Sequence, residues 1–421
     1  MPKYNSLRGM PDILPEDAAL MRWVEETARN VFCLFGFGEL RTPILEETEV
    51  FTRSIGTDTD IVEKEMYSFT DRGGKNVSMR PEGTASMIRA YIEHGMHNSS
   101  ELVKLFYFGP MFRGERPQKG RLRQFHQIGA EAIGGKGPYV DAEMIFSLNM
   151  ILGNLGLSGY TILINSLGCD KDRAAYRKTL LDWFAVRLDG LCEDCRRRSK
   201  VNVLRVLDCK RESCKAVAEK APSMTESLCP GCSRDHAELK QALSSMNVPF
   251  TEKKDLVRGL DYYTGTIFEV VHTGLGSQDA IAAGGRYDGL SRQLGGPDTG
   301  AIGYAIGVER LLLILGREKS GKKDIGPLVI PADVSFAGEA FSVTNRLRSN
   351  GVSCETDLLG RSMKGLMRKA NREGRRYVVI IGEEEKRTGR FFLKDMTGGV
   401  DQSLSFEELA VFLKKQIDRC V

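Results

Sequence analysis

Five short stretches of this chain carry side chains suited to binding a small charged molecule. The first is Arg80-Pro81-Glu82-Gly83-Thr84-Ala85. A carboxylate beside a hydroxyl can hold an ammonium group through charge-assisted hydrogen bonds, although Glu-Gly-Thr is equally an ordinary helix-capping turn. The second runs from Met111-Phe112-Arg113-Gly114-Glu115-Arg116-Pro117 through Arg121 and Arg123 to Gln127 and Glu131. An arginine fixed on a strand can fork onto a phosphate. Gln127 and Glu131 are four apart, so on a strand they share one face and could line one pocket. A solvated hairpin is the alternative, but Glu131 lies among Ile128, Ala130 and Ile133, which suggests an enclosed carboxylate in need of a partner. The third stretch, LVRGLDYYTG, groups Arg258 with Tyr262 and Tyr263. Tyrosine hydroxyls and ring faces suit an imidazole or amine, and the arginine suits an anion. In the fourth, GGRYDG at 284–289, paired glycines let backbone approach a ligand closely. The fifth sets Gly303, Gly307, Glu309 and Arg310 at a strand-to-helix junction, from which Arg310 can reach a phosphate.

Two further clusters carry chemistry of another kind. Cys192-x-x-Cys195 and Cys229-x-x-Cys232 are knuckles separated by 33 residues, with Cys209, Cys214 and His236 nearby. Four thiolates from two such pairs match a tetrahedral structural zinc, with reduced packed thiols as the alternative. Near the C-terminus, seven basic residues fall within 361–376, with Glu373 the only acid. Spacings of three and four put Arg361, Lys364, Arg368 and Arg372 on one helical face, able to neutralise several phosphates. A third candidate fails: GREKSGKK at 316–323 approaches a phosphate loop, but Lys323 stands where Ser or Thr must hold magnesium, and a charged linker is the better reading.

The elements that must position these groups follow from periodicity. Pro15-Glu16-Asp17 opens a helix whose apolar positions are Leu20, Val24, Ala28, Val31, Phe32 and Phe35. Residues 38–50 look extended. Residues 102–113 and 123–133 read as two strands joined by a basic loop, an antiparallel hairpin. More strands are expected at 160–165, 265–271 and 301–307, the last running into the apolar helix VERLLLIL. Between about 169 and 255 the texture turns helical and cysteine-rich, which suggests an inserted subdomain. The expectation is an α+β domain over 1–316 on an antiparallel sheet with that helical insertion, a linker at 317–326, and an α/β domain over 327–421.

Bulk composition narrows the class without naming it. The chain has 421 residues, 41% hydrophobic and 28% charged, which is globular rather than disordered. A net charge of only +4 requires any nucleic-acid footprint to be local. No apolar run approaches membrane-spanning length and no signal core opens the chain, so a cytoplasmic location without membrane attachment is expected.

Taken in order, FRGERP with RPEGTA, then the glycine-rich strand running into GVERLLL, resemble motifs two and three of class II aminoacyl-tRNA synthetases. ELRTPILEE resembles their motif one, which implies a homodimer. LVRGLDYYTGTIFEV and GGRYDGL resemble the two signatures of the histidyl-tRNA synthetase family, and the likeness spans nearly the whole chain. The HIGH and KMSKS strings of the other synthetase class are missing. The resemblance implies a ligase that activates histidine with ATP and passes it to tRNA(His). It implies that Glu82, Thr84 and Gln127 hold the α-ammonium, that Glu131 and Tyr263 take the imidazole nitrogens, and that Tyr262 closes the pocket. Arg113 would clasp the α-phosphate, Arg310 the far phosphate and adenine, with Glu115 and Arg121 in the same ATP site. Arg258 would stand near the attacked phosphorus, and Mg2+ would accompany ATP. Arg116 and Gln118 would meet the acceptor end of the tRNA, and Arg361, Lys364 and Arg368 its anticodon region. The main rival is a regulatory paralogue that keeps the fold without aminoacylating; it would be expected to have lost signature residues that this chain retains.

Overall fold

The computed structural model describes residues 4–56, 59–209, 211–276, 279–316 and 325–417. The chain divides into two compact units, Met1–Lys319 and Ser320–Val421. Of the expected linker at 317–326, residues 317–324 lie outside the described residues.

The first unit is built on an eight-stranded sheet. Its strands lie in the order Gly38–Glu39, Val103–Phe112, Gln124–Ile133, Ala301–Gly307, Ala280–Arg286, Thr264–His272, Tyr160–Ser166 and Phe250–Glu252. All neighbours are antiparallel except the two edge pairs, which are parallel. This is the α+β, antiparallel arrangement that the hairpin implied. On one face pack Pro15–Leu34 and Pro138–Asn154, which bury Val24, Ala28, Val31 and Phe32 with Ile145, Leu148 and Ile151 against the sheet. The opposite face carries a second core containing Tyr107, Tyr262, Tyr263 and Tyr287. The functional side chains rise from this aromatic face.

One local expectation fails. The extended reading of 38–50 ends early, because a helix runs over Thr48–Ile55. Phe51 and Ile55, four apart, both face Ala85, and burying that pair outweighs the strand-like local sequence.

The helical stretch after Tyr160–Ser166 divides between two cores. Asp170–Ala185, Glu193–Val201 and Glu212–Ala218 enclose a small core of Tyr176, Leu180, Phe184, Val206 and Met224. The next helix, Pro230–Ser245, instead inserts Leu239 and Leu243 into the main core, and Phe250–Glu252 completes the sheet edge.

The second unit is a five-stranded mixed sheet in the order Glu355–Thr356, Leu328–Pro331, Tyr377–Ile381, Arg390–Asp395, Gln402–Ser405. Alternation along its strands sends Leu328, Ile330 and Val378 toward Leu366 and Ala370, and Val329 and Val379 toward Leu347, Leu409 and Leu413 on the other face. Among the described residues no helix is long and apolar enough to cross a membrane.

Candidate active site

The floor of the site is the central hairpin. Register puts Glu131 opposite Leu105 on one side and Gly303 on the other, and Tyr107 opposite Gly129. The glycines here are a matter of space. A methyl group at Gly303 would overlap the Glu131 carboxylate, and one at Gly83 or Gly129 would enter the Tyr107 ring. Glu131 is completely buried. Thr84 donates its hydroxyl to Glu131 Oε1 at 2.7 Å, and the Tyr287 hydroxyl donates to Oε2. Burial pushes the Glu131 carboxyl up to about 8, against the opposing pull of those two hydroxyls. The rings of Tyr262 and Tyr263 lie 4.7 Å apart, and those of Tyr262 and Tyr287 5.6 Å apart. Burial raises the Tyr263 phenol, Arg258 draws it down, and Glu131 is near enough to push it up again. Glu131 and Tyr263 thus belong to one enclosed cluster.

Above this floor opens a cleft of about 390 Å³. Ten residues chosen from the sequence line it: Glu82, Thr84, Arg113, Glu115, Arg121, Gln127, Arg258, Tyr262, Tyr263 and Arg310. Glu131 lies behind Thr84. Glu82 accepts the backbone N–H groups of Thr84 at 2.7 Å and Ala85 at 2.9 Å, so it caps the helix Thr84–Glu93 and faces the cleft as well. The hydrogen bonds are those of the capping reading of Glu-Gly-Thr, and the position on the cleft wall leaves Glu82 and Thr84 able to meet a ligand. Burial raises the Glu82 carboxyl, and the two N–H groups oppose the rise. Gln127 Oε1, the Tyr107 hydroxyl and Arg258 Nε are buried without a hydrogen-bond partner among the described residues. Orphaned polar atoms of this kind are places where a ligand recovers free energy.

Four arginines define the other end. Arg113 is anchored by its Nε to the Pro81 carbonyl at 2.9 Å and lies over the Phe125 ring. Arg310 is anchored to the carbonyls of Gly120 at 3.1 Å and Ala280 at 2.7 Å. Burial and then the nearby Arg121 hold its guanidinium below the ordinary arginine value. Arg121 pairs with Glu115 at 2.8 Å. Arg258 pairs with Glu269; burial pulls that guanidinium down most strongly, but Glu269, Tyr263, Asp208 and Tyr262 together raise it.

Several contributors have structural parts that the sequence alone does not assign. Tyr287 was seen only as part of a glycine-rich motif, yet it holds Glu131. Glu269 was passed over inside GTIFEVV, where an acid in an apolar strand was the available signal. Glu309 accepts both the backbone N–H of His126 at 2.9 Å and its ring Nδ1 at 2.8 Å, bracing the strand-to-helix junction. Arg286 of GGRYDG turns away from the cleft and braces the fold through Asp141 at 2.8 Å and the Gly137 carbonyl at 3.0 Å.

Arg116 and Gln118 are exposed and do not line the cleft; Gln118 closes the loop by exchanging backbone hydrogen bonds with Arg121. In the second unit Lys364 and Arg368 are exposed on the helix Met363–Arg372. Arg361 does not share that helical face. Ser362 caps the helix after it, and Arg361 pairs with Asp357 at 3.2 Å. The basic run is also divided: Arg375 is buried, bonded to the Gly326 carbonyl and paired with Glu355 and Glu373.

The single zinc tetrad expected from Cys192, Cys195, Cys229 and Cys232 does not form. Cys192 and Cys195 come together with Cys209 and Cys214, whereas Cys229 and Cys232 come together with Cys169 and Asp172. Each pair begins a different helix; the chain between the pairs brings Cys209 and Cys214 to the first, and the start of Asp170–Ala185 brings Cys169 and Asp172 to the second. Either group has the donors to hold a metal ion.

Comparison with known proteins agrees with this geometry. The family model for Histidyl-tRNA synthetase matches residues 9–311, and that for the Anticodon binding domain matches 327–416. A Histidine--tRNA ligase of Geobacter sulfurreducens is 49% identical over 96% of this chain and 98% of its own length. One from Thermodesulfovibrio yellowstonii is 46% identical over 99% of both. The solved structure of apo S. aureus histidyl-tRNA synthetase has a TM-score of 0.81 and 33% identity, covering 98% of this chain and all of that one (100%). An ATP phosphoribosyltransferase regulatory subunit/histidyl-tRNA synthetase from Bacillus halodurans, 21% identical with a TM-score of 0.66 over 90% of this chain and 98% of that one, shares the fold. On its sequence, its fold and the residues gathered in its cleft, the chain belongs to the histidyl-tRNA synthetase family.

Proposed function

We propose that this chain is a histidine–tRNA ligase: it activates histidine with ATP to histidyl-adenylate and transfers the histidyl group to the 3′ end of tRNA(His). The observation that carries the reading is Glu131, buried and bonded by Thr84 and Tyr287, at the base of a cleft lined by Arg113, Arg258 and Arg310. In this reading Glu131 and Tyr263 take the two imidazole nitrogens and Tyr262 packs over the ring. Glu82, Thr84 and the unpaired Gln127 Oε1 hold the α-ammonium. An apolar side chain entering that cavity would leave buried polar groups unpaired, which gives discrimination without an editing step.

Oriented in this way, a histidine carboxylate oxygen attacks the α-phosphorus of ATP. The new bond is carboxylate oxygen to phosphorus, and pyrophosphate leaves with the electron pair of the broken phosphorus–oxygen bond. Arg258 and Arg113 stabilise the charge that builds on the α-phosphate oxygens, while Arg310, Arg121 and Glu115 hold the rest of the nucleotide. The 3′-hydroxyl of the tRNA then attacks the activated carbonyl, and AMP leaves. Magnesium, carried on the ATP phosphates, would supply charge neutralisation. Glu65 and Glu115, which lie near Arg113 and line the cleft, are hard oxygen donors of the type it takes.

The catalytic part is assigned to 1–316 and the anticodon-binding part to 327–421, with the insertion at about 169–255. Arg116 and Gln118 are assigned to the acceptor end of the tRNA, and Arg361, Lys364 and Arg368 to its anticodon region. A cytoplasmic homodimer fits the family. Ile44, Leu45 and Phe69 expose apolar surface in and beside a three-stranded sheet of Leu45–Glu47, Asn76–Met79 and Ser68–Thr70, as a second copy would cover. The test is ATP–pyrophosphate exchange: exchange is expected with histidine and not with proline, threonine or glycine. Exchange with proline and none with histidine would overturn the assignment.

A further inference from the structure

Seven of the nine described cysteines, together with Asp172, gather in two tight groups, and none of them lines the cleft. We propose that each group binds one zinc ion: a four-thiolate centre at Cys192, Cys195, Cys209 and Cys214, and a mixed centre at Cys169, Asp172, Cys229 and Cys232. Within each group all ligand atoms lie within 4.8 Å of one another. Tetrahedral zinc with Zn–S bonds of about 2.3 Å separates its sulfurs by roughly 3.8 Å, so each group needs to contract only slightly to close on an ion. The four-cysteine set is that of a closed structural site, and the mixed set joins three thiols to a carboxylate oxygen that zinc also accepts; each offers four protein ligands, which fill a tetrahedral ion.

The backbone arranges the ligands in a repeated way. Cys192 caps the helix Glu193–Val201 and Cys195 lies in its first turn; Cys229 caps Pro230–Ser245 and Cys232 lies in its first turn. Cys169 and Asp172 stand in the same two positions on Asp170–Ala185. The mixed centre is therefore two helix starts facing one another, each contributing residues three apart. Backbone N–H groups already point at the sulfurs, from Cys192 to Cys214 Sγ at 3.1 Å and from Cys232 to Cys229 Sγ at 3.5 Å. Such contacts favour thiolates and orient metal ligands.

Energetics supply a reason for the metal. Cys195 and Cys214 are fully buried, and the elements that carry them are helices of only 9 and 7 residues. Helices that short do not persist by themselves, whereas zinc binding is folding free energy for the segment it ties together. The mixed centre has a second consequence. The helix it fixes carries Arg173, which donates to the Tyr263 carbonyl at 2.6 Å, and the partner helix is rooted in the main core through Leu239 and Leu243. Zinc there would hold the base of the insertion beside the residue assigned to the imidazole.

Elemental analysis of the full chain, expressed with added zinc and purified reduced without chelators, tests this directly. Two equivalents per chain are expected. Cys195→Ser and Cys229→Ser should each retain one, and the double variant none. Should those variants fail to fold, two measurements on the unaltered chain remain. A mercurial reagent should release two equivalents of zinc to a colorimetric dye. Cobalt(II) exchanged into the protein should show thiolate charge-transfer bands and the intense visible bands of a tetrahedral ion, at two per chain. Loss at the mixed centre should also raise the KM for histidine several-fold with little change in the KM for ATP. One zinc per chain or none, octahedral cobalt spectra, or disulfides among these cysteines would overturn the proposal.

Discussion

The two ends of the cleft are built on opposite principles. At the end proposed for the amino acid the Glu131 carboxylate is enclosed, both of its oxygens are already bonded, and glycines at 83, 129 and 303 leave no room to spare. Around it stand neutral hydroxyls and rings. The end proposed for the nucleotide has guanidinium groups steadied by main-chain carbonyls, which position a cation without neutralising it. Of Arg113, Arg121, Arg258 and Arg310, only Arg121 and Arg258 form ion pairs with carboxylates among the described residues. A preformed neutral cavity discriminates among ligands by the hydrogen bonds it would leave unmade, whereas an anchored excess of positive charge binds and stabilises an anion. Selectivity and acceleration should therefore fail separately.

The sharpest separation is expected from Arg258→Ala. Pyrophosphate exchange should fall by about 10³-fold, in the range that loss of one preorganised donor to a developing charge produces. Histidine affinity measured by calorimetry should be nearly unchanged. A lysine at 258 should recover only part of the rate, since it keeps the charge but not the fork. Equal losses in rate and histidine affinity would show that the two ends are not separable.

Glu131→Gln addresses the other end. The histidine KM is expected to rise by roughly 10²-fold with the ATP KM little changed, because a buried donor or acceptor is left unmatched. The carboxyl also gives the effect a pH signature. Its folded value is raised to about 8 from an ordinary 4.5. Its contribution to folding stability is thus fully present below about 4.5 and is lost as pH rises through about 8. Histidine affinity should decline above pH 8 in the native chain and stay level in the glutamine variant. Chemical denaturation and calorimetry across pH 5 to 9 check both statements.

What the sequence revealed of this contrast depends on how far apart the partners are in the chain. Arg258, Tyr262 and Tyr263 were legible because they occur together, and Gln127 with Glu131 because strand alternation places them on one face. The bonds that give Glu131 its character come from Thr84 and Tyr287, 47 and 156 residues away in the chain, and no local pattern encodes them. The cysteines show the same limit. Each C-x-x-C pair was legible as a knuckle, but that each starts a helix, and which cysteines converge on it, is decided by the packing of the insertion. The fold itself was more accessible, since the hairpin and the helical periods are local, and the early helix at Thr48–Ile55 was missed because its apolar face becomes meaningful only opposite Ala85.

A smaller change refines the picture of the amino-acid end. Tyr287→Phe removes one of the two hydroxyls that oppose the upward push of burial on Glu131. The limb at which histidine affinity falls should therefore move above pH 8, with the KM at neutral pH raised by about tenfold. A limb that moves downward would mean that Tyr287 does not donate to this carboxylate.

The smallest effect should come from the second unit, where contacts are exposed and no cavity is involved. Lys364 and Arg368 lie on the outer face of Met363–Arg372 while Leu366 and Ala370 hold its inner face to the sheet, so replacing both with alanine leaves the fold intact. If they neutralise phosphates, each contributes to affinity through counterion release, and the loss should be general to the RNA backbone. The KM for tRNA is expected to rise several-fold, and the slope of log affinity against log salt to decrease in magnitude by about 2. Histidine-dependent pyrophosphate exchange, which needs no RNA, should be unchanged. A salt slope equal to that of the unaltered chain would remove this helix from the RNA interface and leave the cleft assignments untouched.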